Sequence, residues 1–582
     1  MNREAPEAVG LLPDPGSPSA AAAAAGPPRA RHARPPRAIV APVDDRRTAF
    51  YTLDHGSATL AGALVGQVEG RWRLLAATAL PTGSSPDALV GVLAHRLESA
   101  EPAFADVIRG RPVGEPGASA GVPRLVARSR PAATLAVIAA TERTRVRLEE
   151  SAAGAGWIVV AGSAERTGPL ELTRLATRPG VVAVLVGVAD PPDADERELA
   201  TELAVVAAGI AARRPGLRVL LAGPVPDEPL RALRHGPAIE RLPAPERTRG
   251  ELAASPLRDA LAAARGGPDD SRRALAAAAG SLARVLGLRV EILEIGVSGA
   301  ARVLALPGPA DGGETRATVQ LVEVPDAALF RMDRPGAIDR VDHWFTQTVD
   351  RARLRDRLAE LAVAPWSDLD GDGALLRAAA LRASLERLLS STDPELGNAG
   401  VDLLVGAGGA WSAVPGPAAT HIVADVVRRP GTLQVAIDHA RLLGPIGTIE
   451  DDAERDAVVA DLAADLLLPA GTIVTPRGLR PNRPAGQLVL ETAGGRSDID
   501  LVAGGLTLVD LPPGARGTAE LTFRGTPELG PRGRRFRVAV SGGLAGLLLD
   551  LRDIPLRLPE RPDRRRELLG TWERALWPER DS

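Results

Sequence analysis

The stretch TAFYTLDHGSATLAGALVGQVEGRWRLLAATALPT, residues 48–82, decides how the fold is read. TAFYTLD is rich in β-branched and aromatic residues, HGSA is a glycine turn, and TLAGALVGQ returns. EGR turns again and WRLLAATAL completes a three-stranded meander. The first turn carries Asp54, His55, Gly56 and Ser57. A carboxylate at a strand end, followed by Gly and Ser in a tight turn, can hold a metal ion through Asp54 and offer backbone N–H groups to a phosphate.

A related pattern recurs from Val290 to Val324. VEILEIGVSGAARVLALP gives strand, acidic turn and strand, with Glu294, Gly296 and Ser298 at the turn, and ATVQLVEV makes a third strand. Two such units suggest a duplicated architecture with a cleft between the halves. A third piece is Gly406-Ala407-Gly408-Gly409, between LLV and Ala410-Trp411. Glycines after a buried strand let a flat ring or a phosphate approach the backbone closely, and the same run also fits a plain strand-to-helix turn.

Composition bounds the rest. At 582 residues, the chain is too long for one core and should divide into about two to four domains. A hydrophobic share of 45% and a charged share of 25% are those of a globular protein. The formal net charge of -3 gives no reason to expect nucleic acid or an anionic membrane as the main partner. The chain has no Cys and no Lys. That excludes disulfides, thiolate chemistry, Schiff bases and a phosphate-binding lysine, and leaves Arg, backbone N–H groups or a metal to bind anions. The N-terminus lacks the basic and apolar regions of a signal peptide, and no apolar run is long enough to span a membrane, so a cytoplasmic protein is expected.

Along the chain, residues 1–45 are rich in Pro, Ala and Arg and read as a disordered tail. From Arg130 onward, the apolar strands TLAVIAAT, WIVVAGS, VVAVLVGV and LRVLLAGPV alternate with helices, the pattern of buried parallel strands in an α/β layer. Residues 338–391 read as largely helical, HARLLGPIGTI as a helix, and DDAERDAVVADLAADLLL as a well-capped helix. Beyond Pro469, β-rich runs cut by Gly and Pro suggest a small antiparallel domain, and DRRRELLGTWERALW closes the chain as a basic helix.

Two acidic-Gly turns followed by a late Gly-x-Gly-Gly resemble the actin, sugar kinase and heat-shock-70 ATPase fold, and within it the glutamate mutase L family. Asp54, Gly56 and Ser57 match the family's first phosphate motif, Ala161 and Gly162 part of its Ala-Gly-Gly-Thr-Asp-Gly-Gly strand end, and LLVGAGGAW its adenosine-side turn. The resemblance implies an α/β fold with a duplicated actin-like ATPase core of two βββαβα-type halves and a C-terminal β-rich domain. The expected divisions are a tail over 1–45, a first half with an inserted α/β layer over 46–265, a second half over 266–468, the β-rich domain over 469–560 and the basic helix over 561–582. ATP or ADP with Mg²⁺ is the implied ligand, held by Asp54, Gly56, Ser57, Glu294, Gly296, Ser298, Gly406, Gly408 and Gly409, with Asp54 at the metal.

This chain departs from the family's pattern. Leu60 and Ala61 stand where the first motif has Thr and Lys, and the second motif survives only as Glu294-Ile295-Gly296-Val297-Ser298-Gly299-Ala300-Ala301, without its phosphate-binding hydroxyls and second carboxylate. Phosphoryl transfer depends on positioning and charge neutralisation, so a degenerate, non-hydrolysing site with no catalytic residue is the expectation. The implied role is an accessory or reactivase-like protein for a partner enzyme, such as an adenosylcobalamin-dependent mutase. The alternatives are an active ATPase or small-molecule kinase, and a structural scaffold.

Other signals read as ordinary structure. Gly117-Ala118-Ser119-Ala120-Gly121 lacks the strand-turn-helix setting of a nucleophile elbow, and an Asp368, Asp370, Asp372 loop has Ala379 where a calcium loop needs Glu. His343, His421 and His439 lack ligand spacing, and Arg532, Arg534, Arg535 and Arg537 decorate a hairpin.

Overall fold

The computed structural model describes residues 49–576 except 101–121, 131–132, 215, 246–254, 267–268, 312–313, 331–335, 366, 368, 370, 393–399 and 415. The expected tail, the 117–121 motif, and Asp368 and Asp370 lie outside the described residues.

The opening meander forms three strands, β1 (Ala49–His55), β2 (Thr59–Val68) and β3 (Arg71–Pro81), and β4 (Arg124–Arg128) adds parallel to β1. The sheet order is β3-β2-β1-β4. Phe50 stacks obliquely on Trp72 at 5.0 Å, and the Pro86–Ala100 helix covers the other face through Leu89, Leu93 and Leu97. Next comes a separate five-stranded layer: β5 (Thr134–Ala139), β6 (Ile158–Ser163), β7 (Val181–Gly187), β8 (Arg218–Ala222) and β9 (Ile239–Leu242). It is parallel throughout, in the order β6-β5-β7-β8-β9, a doubly wound arrangement. Helices on both faces explain why its strands are apolar without alternation, and Thr141, Asp193 and Ser255 cap three of them. The layer leaves the first sheet after β4 and its chain returns beside the exit point. The Arg128 N–H donates to Asp269 O at 2.7 Å, and Asp269 also pairs with Arg128 and Arg130, each at 2.9 Å.

The second half repeats the first. Strands β10 (Val290–Ile295), β11 (Ala300–Asp311) and β12 (Glu314–Val324) form an antiparallel meander, and β13 (Leu403–Ala407) and β14 (Gly431–Ile437) extend it in parallel. The repeat reaches individual residues. Asp54 stands opposite Ala61 and Ala127, and Glu294 stands opposite Ala301 and Ala407. The turns close on matching hydrogen bonds, Gly56 N–H to Thr59 O and Gly296 N–H to Gly299 O, both 2.9 Å. The chain therefore has the α/β class and duplicated core expected, with a β-rich C-terminal region.

That region joins the core more closely than its sequence texture suggests. Strand β15 (Leu468–Thr475) pairs antiparallel with β14 rather than opening a separate small domain. After β16 (Pro484–Thr492) and β17 (Gly495–Val502), β18 (Leu506–Val509) returns to the large sheet. After β19 (Arg516–Phe523) and β20 (Arg535–Ser541), β21 (Leu547–Asp550) does the same, so that the sheet reads β12-β11-β10-β13-β14-β15-β21-β18. The antiparallel sheet β17-β16-β19-β20 packs over this extension, sharing a core that includes Val474, Leu488, Leu521, Val540 and Leu549. An apolar strand buried on both faces carries no mark of which sheet it will enter. The closing helix spans Pro562–Leu576, with Trp572 buried beneath the Arg552 guanidinium at 4.5 Å. Among the described residues, no helix is long and apolar enough to cross a membrane.

Strand β10 is held in register by a buried charge. Glu291 accepts from Arg302 Nε at 2.7 Å and from both terminal nitrogens of Arg429 at 2.6 and 2.9 Å. Glu291→Leu leaves two guanidiniums without their counter-charge and should cost about 3–5 kcal/mol. Arg289→Ala breaks the half-exposed Arg289–Asp402 pair and should cost under about 1 kcal/mol. Thermal unfolding of the two variants side by side checks the contrast, and equal losses would refute it.

Candidate functional site

Strands β1, β10, β13 and β14 all deliver their carboxyl ends to one place. There a cleft of about 460 Å³ opens between the two halves. Asp54, Gly56, Ser57, Glu294, Gly296, Ser298, Gly408 and Gly409 all line it. The crevice beyond the carboxyl ends of parallel strands is where an open α/β sheet leaves backbone groups and side chains free for a ligand. At the turn tips, the N–H groups of Ser57, Ala58, Val297 and Ser298 have no acceptor among the described residues. Both turns thus present unused donors to the cleft, as an anion requires.

The first turn holds a feature invisible in the local sequence. Arg441, which follows β14 in the other half, reaches across the cleft to Asp54. Its Nε and Nη2 each lie 2.6 Å from Asp54 Oδ2, and its Nη1 donates to Thr59 Oγ1. The guanidinium is buried and packs on Gly56, where a Cβ would stand 2.5 Å from Nη2. The Arg441 backbone is left-handed, with φ of +56°. A non-glycine residue held there costs of order 1 kcal/mol or more, so the surrounding contacts impose the conformation. The carboxylate expected to face a metal is therefore ion-paired with an arginine.

The second turn is built alike. Arg272, in the Ser271–Leu286 helix, lies 3.3 Å from Glu294 Oε2 through Nε and 2.8 Å from Glu323 Oε2 through Nη1. It packs on Gly299, where a Cβ would stand 2.6 Å from Nη2. Burial pushes the Glu294 carboxyl above its ordinary range, Arg272 pulls it back, and the Asp54 charge adds to the rise. Among the described residues, no group of three or more His, Asp or Glu side chains is placed to hold a metal ion. Both turn carboxylates are paired to guanidiniums, which a divalent cation at either turn would have to displace.

The glycine run divides its work. Gly408, at φ of +88°, packs against the second turn: a Cβ there would stand 2.6 Å from Ile295 O. Gly409 opens the short Gly409–Ser412 helix at the cleft wall. Gly406, by contrast, does not line the cleft. A Cβ there would lie 2.5 Å from the indole of Trp411, whose Nε1 donates to Leu293 O at 2.8 Å. Its glycine makes room for that tryptophan, not for a ligand.

Asp438 is the other residue that sequence reasoning missed. It follows β14, lines the cleft, and is only 3% exposed. Its carboxylate accepts from the N–H groups of Leu442 and Leu443, at 2.8 and 3.2 Å. Burial pushes this carboxyl up to about 7; those two N–H groups oppose the shift and the Asp54 charge adds to it. HARLLGPIGTI, read as one helix, is a turn from His439 followed by a helix only at Leu443–Ile446, and this turn presents both Asp438 and Arg441. Pro445 and the glycines that break the segment were the available signal. His439 lines the cleft, whereas His421 is buried beside Asp425 at 3.3 Å, and His343 lies edge-on to Trp344.

No protein-family model matches the chain, and none of the curated proteins matches it. Among solved structures, an Aquifex aeolicus PPX-GPPA enzyme matches at 12% identity, covering 72% of this chain and 91% of that one, with a TM-score of 0.17. The type II variant of an Aquifex aeolicus Ppx/GppA phosphatase matches at 11% identity, covering 72% and 90%, also with a TM-score of 0.17. A likeness at that TM-score carries no weight for fold or activity, and the glutamate mutase L reading remains a resemblance of motifs.

Proposed function

We propose that the cleft binds a nucleotide, or a phosphorylated molecule of that size, between the two halves without a divalent cation. The observation that carries this reading is the convergence of both turns and the Gly408–Gly409 wall on one cleft, with a guanidinium on each turn carboxylate. The volume, about 460 Å³, lies within the range of small-molecule sites. Phosphate would meet the turn-tip N–H groups of Ser57, Ala58, Val297 and Ser298, with Arg441 supplying positive charge. A cleft between two halves also suits a protein whose halves move with its ligand. The accessory role towards a partner enzyme, including a cobalamin-dependent mutase, is supported by the motif resemblance alone.

Isothermal titration with ADP and with ATP, each in EDTA and in Mg²⁺, tests the reading. Wild type should bind equally within about twofold in the two buffers. Arg441→Gln should bind roughly ten- to a hundredfold more weakly in EDTA, the loss of one charge-assisted contact. That variant frees Asp54, so Mg²⁺ should recover part of its affinity. Binding by wild type only with Mg²⁺ would refute the metal-free reading, and no heat with either nucleotide would leave a scaffold.

One observation favours the catalytic alternative. A carboxylate titrating near neutrality inside a cleft is suited to proton transfer, and Asp438 is such a group. Under this reading, phosphate release rises as pH passes 7 and is lost in Asp438→Asn. The same shift has a consequence independent of turnover. The native carboxyl keeps its proton up to about pH 7, whereas an unfolded Asp releases it near pH 4. Its contribution to stability is thus full below about pH 4 and lost as pH rises through 7. Relative to wild type, Asp438→Asn should gain stability between pH 5 and pH 8, read from unfolding midpoints across that range. A constant difference would show that Asp438 does not titrate there.

A further inference from the structure

We infer that Arg272 and Arg265 are positioning residues for the Glu294 carboxylate, coupling the cleft's second turn to the inserted five-stranded layer through Glu323. The coupling itself is geometric; only the ligand it would regulate rests on the function proposed above.

Arg265 ends the Pro256–Arg265 helix, whose Leu257 and Leu261 pack beneath β5 and β8 of the inserted layer. Its Nη2 donates to Glu323, 2.8 Å from Oε1 and 2.6 Å from Oε2. Glu323 belongs to β12 of the second half and is buried. Its side chain lies against Gly156 of the inserted layer, at φ of +82°, where any Cβ would overlap the carboxylate. A backbone bridge joins Ala155 to Glu323 at the same point. From Glu323 the chain of charges passes to Arg272, and from Arg272 to Glu294 in the cleft.

The stoichiometry makes this a competition. Two guanidiniums, Arg265 and Arg272, serve three carboxylates, Asp270, Glu294 and Glu323. Without Arg265, Glu323 has Arg272 as its remaining cation and draws it from Glu294, whose contact at 3.3 Å is the longer of the two. Arg265 itself is incompletely satisfied: its Nε and Nη1 are buried and find no hydrogen-bond partner among the described residues. Displacement of the inserted layer from β12, by whatever binds it, would therefore reach the turn at Gly296–Gly299 without touching the cleft.

Hydrogen exchange on the full chain without ligand tests the coupling, with the duplicated first turn as internal control. The Gly296 and Gly56 amides each donate across their turn at 2.9 Å, Gly56 also to Asp54 O at 3.1 Å, so each variant is compared with wild type within the same peptide. Arg265→Met should speed exchange roughly tenfold in a peptide spanning residues 290–300, while one spanning 49–60 stays within about twofold of wild type. Arg265→Lys, which keeps the charge, should restore most of the protection. Unchanged exchange in both peptides, or an equal rise in both, would overturn the coupling. So would a Lys variant indistinguishable from the Met variant. Because no nucleotide is present, the result stands whether or not the cleft binds one.

Discussion

A carboxylate buried at the end of an inner strand is tolerable only if a cation is held against it, and in a chain without lysine that cation is a guanidinium. Arginine's planar fork serves two acceptors at once, so each buried acid here recruits partners from distant segments. Glu291 draws on Arg302 and Arg429, Asp425 on Arg382 and Arg552, and Asp54 on Arg441. These pairs join strand to strand, core to C-terminal region, and one half to the other. Taking away a single partner leaves a charge in a medium that cannot solvate it, so the pairs specify how the layers meet even where their net contribution is small.

The same rule alters what the cleft can do. An open carboxylate at each turn would invite a divalent cation and the chemistry that follows from it. A guanidinium in each place fixes the positive charge permanently in the protein, with a directional hydrogen-bonding face in place of exchangeable coordination positions. The anion site proposed above rests on that fixed positive charge. Asp438 adds a group able to change protonation near neutrality.

Much of this was legible in the residues. The two meanders, their acidic turns and the unalternating strands of the inserted layer follow from period and turn chemistry, and the chain places both turns on one cleft. What escaped did so for physical reasons. Arg441 meets Asp54 across 387 positions of sequence, and long-range pairing leaves no local trace. Its segment, HARLLGPIGTI, has helical spacing of apolar residues, and the left-handed turn at Arg441 is imposed by tertiary contacts. Gly406 looks like part of a ligand loop because a glycine beneath a tryptophan and one beneath a phosphate read the same. Strand β15 shares the composition of the β-rich region it introduces, yet pairs with β14.

The inserted layer enters after β4 and rejoins the core at Asp269 and Asp270, where Arg128 bonds to the returning backbone. An element whose two ends meet within one hydrogen bond imposes no distance on its host. Such a module can be acquired, exchanged or shed in evolution while the surrounding sheet keeps its register. The duplicated core and the inserted layer can thus keep their own registers, joined at a seam that includes Arg128 with Asp269 and Arg265 with Glu323.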